Sequence, residues 1–295
     1  MQNEIENLSS TLKSGSLSES ERRSGRDLVS ELLTALESGE VRVAEPYEDG
    51  WKVNTWVKKG ILAGFGLSET IKLEDDSQFI DKDLYGLRDI KLEQGARLTP
   101  PASGVRRGAF IGRGVVLMSP AYVNVGAYVG DNTMVESLAG SCAQIGTNCH
   151  ISFGTVIGGV LDPVEAAPVI IGNNVLMGES TGVTQGARLE DLVTLAPGVH
   201  ISMATPVIDP INNVAYTTAG TAKLISEKIG SITIHKVGEL IQEKDNSFGP
   251  LVPKGALVIP GLAQSSSGGL KMAPTIAKYI KSADERAYAL EDALR

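Results

Sequence analysis

Aliphatic residues return at every sixth position through the middle of this chain. Ile111, Leu117, Val123, Val129 and Val135 are followed by Ile145, Ile151 and Ile157. The spacing resumes at Ile171, Met177, Val183, Leu189, Leu195, Ile201 and Val207, and Val252 and Val258 close the series. Glycine often follows the aliphatic residue, as at Gly112, Gly146, Gly158, Gly172 and Gly178. A helix repeats near 3.6 residues and a simple strand at two, so a period of six fits neither. It predicts a mainly β solenoid in which each hexad forms one flat side of a triangular coil. Aliphatic residues then stack inward, because a single repeat cannot bury its own face.

The breaks divide the chain. From Val135 to Ile145 the gap is 10 rather than 12, so one coil has lost two residues. A Pro- and Gly-bearing excursion covers 158–168. A longer insertion, 208–250, contains a probable hairpin at KIGSITIHKVGELI. The coil is expected over 105–260, with function at the loops that leave it. Residues 1–104 read as a helical or mixed domain. Ser18 and Glu21 fit a capping box, Leu28, Leu32, Leu33 and Leu36 follow near helical spacing, and Gly39 ends the segment. The stretch 51–65 suits a strand or a helix, and 71–94 a linker or small lobe. After 261 a C-terminal segment is expected to finish in a charged helix following Pro274.

Composition narrows the class. The formal net charge of -8 argues against a general nucleic-acid binder. No apolar run reaches membrane-spanning length, and the polar start MQNEIENLSS is no secretory signal. Two cysteines, Cys142 and Cys149, make no disulfide framework. A cytoplasmic setting is the simplest reading.

Several words in the sequence go beyond what hexads demand. They are VRVAEPYEDGWKVNTWVKKGIL at 41–62, ARLTPPASGVRRGAFIGRGVVLMSPAYVNVGAYVGDNTMVES at 96–137, GSCAQIGTNCHIS at 140–152 and IGGVLDP at 157–163. Together they resemble the tetrahydrodipicolinate N-succinyltransferase family of hexapeptide-repeat acyltransferases. The likeness is good over about 25–205 and weaker beyond. It implies a left-handed parallel β-helix, a homotrimer with active sites between subunits, and succinyl-CoA as cosubstrate. The reaction it implies is succinyl transfer to the amino group of tetrahydrodipicolinate in its ring-opened L-2-amino-6-oxopimelate form, within diaminopimelate and lysine biosynthesis. An acetyl-CoA-dependent enzyme, on this or a sugar-type acceptor, is the alternative.

The resemblance also implies residue roles. Glu136 stands where the family places its catalytic carboxylate, and an amine nucleophile needs a base. Many members carry a second acidic residue where this chain has Gly182, whereas another branch has Gly there with Glu at the first position. In that reading the backbone N–H of Gly182 or Thr184 serves the oxyanion, and Glu179 is a spare carboxylate. Arg97 matches a substrate-carboxylate arginine, for which a planar guanidinium is suited; Arg106 and Arg107 are less specific. Gly178, Thr181 and Ala196 are expected along the pantetheine groove. Ser265, Ser266 and Lys271 lie in a small-residue run where relatives grip CoA, a run that a flexible linker would also explain. His150 could act as an alternative base but reads as structural or solvent-facing. His150, His200 and His235 are too far apart in sequence for a zinc site, and no metal is expected.

Overall fold

The computed structural model describes residues 1–15, 17–48, 50–73, 79–229, 232–243, 248–265 and 267–285. Two-residue strands, each ending in one of the periodic aliphatics, form three parallel walls visited in rotation. The first wall pairs Phe110–Ile111, Tyr128–Val129, Gln144–Ile145, Ile170–Ile171, Arg188–Leu189 and Leu251–Val252. The second pairs Arg97–Leu98, Val116–Leu117, Met134–Val135, His150–Ile151, Leu176–Met177 and Thr194–Leu195 before reaching Ala256–Ile259. The third runs from Gly104–Val105 through Tyr122–Val123, Leu138–Ala139, Val156–Ile157 and Gly182–Val183 to His200–Ile201. The second residue of each pair points inward. Val129, Val135, Ile145, Ile151, Ile157, Met177 and Val183 are all fully buried.

The coil begins at Arg97, eight residues before the expected start at 105. Leu98 precedes Val105 by seven residues, which breaks the period and hides the first strand. The two lost residues resolve equally simply. Ala139 is an inward position, so only residues 136–137 separate the strands at that corner, where four stand on either side at 118–121 and 152–155.

Three helices pack on the coil along the edge between the third and first walls: α1 (Gln2–Ser14), α2 (Glu19–Ser38) and α3 (Thr55–Leu67). The capping box of Ser18 and Glu21 is present, and Gly39 takes the left-handed conformation that ends α2. Ile5, Val29, Leu32, Leu33, Ile61 and Tyr85 share a core that also takes in Val125 and Cys142 of the coil. Within the ambiguous stretch, Gly50–Val53 pairs with Ala44–Tyr47 as an antiparallel ribbon before α3 starts. The 71–94 lobe contains a second small ribbon, Thr70–Lys72 with Ile80–Lys82.

The 208–250 insertion extends the second wall as an antiparallel run ending in the long pair Gly220–Ile229 and Ile232–Glu243. The expected helix after Pro274 is corrected. Thr275–Tyr279 is a strand, paired antiparallel with Ala256–Ile259 and joined to Ile208. Buried Ile276 and the ladder bonds on both sides override the helix-like composition. The helix prediction over 286–295 lies outside the described residues. Among the described residues, no helix is long and apolar enough to cross a membrane.

Candidate active site

Wall register places most of the predicted site residues along one edge of the prism, between the second and third walls. Residues 136–137, 152–155, 178–181 and 196–199 are successive corners of that edge. Glu136 opens it at the shortened corner. Gly178, Glu179 and Thr181 follow two coils on, and Ala196 three coils on. The segment after Ile259 leaves one coil further. At the usual strand spacing the run from Glu136 to that segment is roughly 20 Å.

Glu136 is partly buried, and its Oε1 lies 3.1 Å from Nε2 of His150. With the carboxylate ionised, Nε2–H donates to it. Met134 and His150 are register partners, so the side chain of one coil meets the corner of the previous one. His150, expected to be structural or solvent-facing, has a side chain 45% exposed and is also the hydrogen-bond partner of the candidate base. The signal was available: residues one coil apart here differ by 16.

Arg97 is exposed; its backbone N–H donates to Val115 O at 2.9 Å, and its guanidinium has no polar partner among the described residues. It stands in the same outward column as His150, separated by Val116 and Met134, or roughly 14 Å. Arg106 and Arg107 are committed elsewhere. Arg106 donates to the Tyr85 carbonyl at 3.0 Å and to Asp81 Oδ2 at 2.5 Å, and Arg107 to Glu37 at 3.3 Å. Arg106 thus ties the 71–94 lobe to the coil, and Arg107 ties α2 to it.

Gly182, the expected oxyanion donor, opens the strand Gly182–Val183. Its N–H donates to Val199 O at 2.9 Å, and that of Thr184 to Ile201 O at 2.9 Å. Both bonds belong to the ladder between coils. A side chain at 182 is disfavoured on steric grounds: a Cβ there would lie 2.5 Å from Nδ1 of His200, its register partner. Amides that do lack an acceptor among the described residues occur in the corners, at Ser137, Phe153 and Glu179.

Gly178, Thr181 and Ala196 are buried, with Thr181 Oγ1 3.4 Å from Thr155 Oγ1. What they present to the edge is backbone. The segment around Lys271 is ordered pairing, since Leu262–Gln264 forms a ribbon with Leu270–Met272 and Ser265 N donates to Gly269 O at 2.7 Å. Lys271 is exposed; Ser266 lies outside the described residues. The 158–168 excursion leaves a different edge, between the third and first walls, and Leu161 packs on the helical cap. Within one chain it does not meet Glu136.

Buried Lys58 of α3 holds that excursion by donating from Nζ to the Ala166 carbonyl. Burial pushes its ammonium below the usual lysine range, and burial pushes the nearby Cys142 thiol up to about 12.

Three parallel walls of short strands built on hexads around one aliphatic core define the class as a parallel β-helix. Comparison with known proteins narrows it. A family model described as the tetrahydrodipicolinate N-succinyltransferase N-terminal region matches residues 1–67. The 2,3,4,5-tetrahydropyridine-2,6-dicarboxylate N-succinyltransferase of Polynucleobacter asymbioticus is 36% identical over 281 residues, covering 92% of this chain and 90% of its own. That of Acinetobacter baylyi is 35% identical, with 92% and 89% covered. A Campylobacter jejuni crystal structure described as a 2,3,4,5-tetrahydropyridine-2-carboxylate N-succinyltransferase shares the fold, with a TM-score of 0.54 and 18% identity; the match covers 91% of this chain and 64% of that one. The chain belongs to the tetrahydrodipicolinate N-succinyltransferase family.

Proposed function

We propose that this protein transfers a succinyl group from succinyl-CoA to the amino group of ring-opened tetrahydrodipicolinate, in the cytoplasm, as a homotrimer of left-handed β-helices. Full-length relatives carrying that activity in their names support the reaction. The contact between Glu136 and His150 at the shortened corner is the observation that supports the site. Glu136 takes a proton from the ammonium, the free amine attacks the thioester carbonyl, and collapse of the tetrahedral intermediate breaks the C–S bond, the nitrogen's second proton passing to the departing CoA thiolate as the amide forms. His150 holds the carboxylate in place. The free corner amide of Ser137 is the nearest candidate donor to the oxyanion. Arg97 suits a carboxylate of the acceptor. Backbone at Gly178, Thr181 and Ala196 suits an extended pantetheine chain, and Ser265 and Lys271 the far end of CoA. Across two copies of the chain, the 158–168 excursion of one could face the Glu136 edge of the other.

The test is thiol release from succinyl-CoA and acetyl-CoA, with L-2-aminopimelate as acceptor. Succinyl-CoA is expected to be preferred, and Glu136→Gln to lose about 100-fold or more in kcat. His150→Ala should lose less and alter the pH–rate profile. Preference for acetyl-CoA would overturn the donor, and an active Glu136→Gln the base.

A further inference from the structure

A second cleft lies away from the Glu136 edge, between the first wall and the Ala44–Tyr47/Gly50–Val53 ribbon. Its volume is about 780 Å³, and its lining includes Arg42, Trp51, Tyr128, Glu190, Asp191 and Lys254. Arg42 is held there in a fixed pose. Its Cζ sits 3.7 Å from the Tyr128 ring centroid and 5.6 Å from that of Trp51, and Phe110 stacks behind Tyr128 at 4.4 Å. Its Nε donates to Gln144 Oε1 at 3.0 Å. Gln144 is itself buried and cannot turn, because its Nε2 faces three backbone carbonyls, those of Gly126, Cys142 and Ala143, at 3.0–3.2 Å.

One of the five donors of this guanidinium is therefore used, and its Nη groups meet no acceptor among the described residues. Burial also pushes Arg42 below its ordinary range, with Tyr128 and Glu45 offsetting the lost hydration only in part. A stacked, desolvated guanidinium with an open edge is suited to a bidentate carboxylate. The cleft also offers the opposite charge. Asp191 uses Oδ1 for Asn173, and Glu190 uses Oε2 for the Lys254 amide; the other oxygen of each has no partner among the described residues.

We propose that this cleft is a second ligand site that takes a small amino acid as its zwitterion, with the carboxylate on the Nη edge of Arg42 and the ammonium toward Glu190 and Asp191. Nothing in the proposal depends on the reaction assigned to the Glu136 edge.

Titration calorimetry on the intact protein, followed in parallel by Trp51 fluorescence, tests it. The probes are L-glutamate and L-lysine, with succinate as a carboxylate lacking an ammonium and inorganic phosphate as a different anion. At least one amino acid should bind saturably and more tightly than succinate or phosphate. Arg42→Lys should weaken that binding tenfold or more. Asp191→Asn, which keeps the acceptor that Asn173 uses, should weaken it as well, and Glu136→Gln should leave it intact. No saturable amino-acid binding, equal affinity in Arg42→Lys and Asp191→Asn, or loss in Glu136→Gln alone would overturn the site. Succinate or phosphate binding as tightly as the amino acid would overturn the zwitterion.

Discussion

In the coil, Ile151 sits between Val135 one turn before and Met177 one turn after, and Ile157 sits between Ala139 and Val183. Each inward side chain meets others in the same role. In the helical cap, by contrast, contacts are unique. A Cβ on Gly60 would lie 2.4 Å from Leu32 Cδ2, and one on Gly64 would lie 2.1 Å from the hydroxyl of Tyr85. That hydroxyl is buried and donates to the Ile61 carbonyl at 2.7 Å. The coil repeats one modest solution many times, so its stability is a near-neighbour sum. The cap depends on a few close fits that occur once each. A change in size should accordingly be felt locally in the coil, and across three elements in the cap.

Substitutions can separate these regimes. The largest effect should come from Ile151→Ala, about 4 kcal/mol by denaturant unfolding, as expected for a fully buried aliphatic truncated within a rigid stack. Gly64→Ala should cost about 2 kcal/mol through overpacking against Tyr85; a loss under about 0.5 kcal/mol would show a cap as adaptable as an exposed surface. Ser18→Ala should cost about 1 kcal/mol by removing the side-chain cap of α2. Asp83→Asn should be visible mainly as a changed acid limb. The hydrogen bond from Arg26 holds the Asp83 carboxyl below the usual carboxylate range. A carboxylate depressed in the fold contributes fully above its unfolded value of about 3.9 and loses that contribution as pH falls through the folded value. The Tm gap between wild type and variant should therefore be constant near neutrality and shrink in acid.

The same contrast explains what was legible beforehand. The coil could be read because its inward positions recur, and Glu136 because its word resembles a family motif. Arg97–Leu98 escaped because seven residues, not six, precede Val105. Thr275–Tyr279 read as helix because its strand character comes from Ala256–Ile259 and Ile208, far away in sequence. The roles of Gly182 and His150 depend on what lies one coil over, at His200 and Met134. Sequence spacing supplies that neighbour only once the coil length is known, and coil length varies at the corner that carries Glu136.

That corner has a consequence for measurement. Residues 136–137 form a recess in an otherwise straight edge, and the walls on either side are graduated in steps of about 4.8 Å. Anything lying along the edge is therefore gauged in whole coils from one fixed notch. On the proposed reading, an anchored donor whose reactive carbon fell short of the notch, or overshot it, would be rejected by length. Selectivity of this kind needs no deep pocket: the prism is a ruler, and two missing residues are its zero mark.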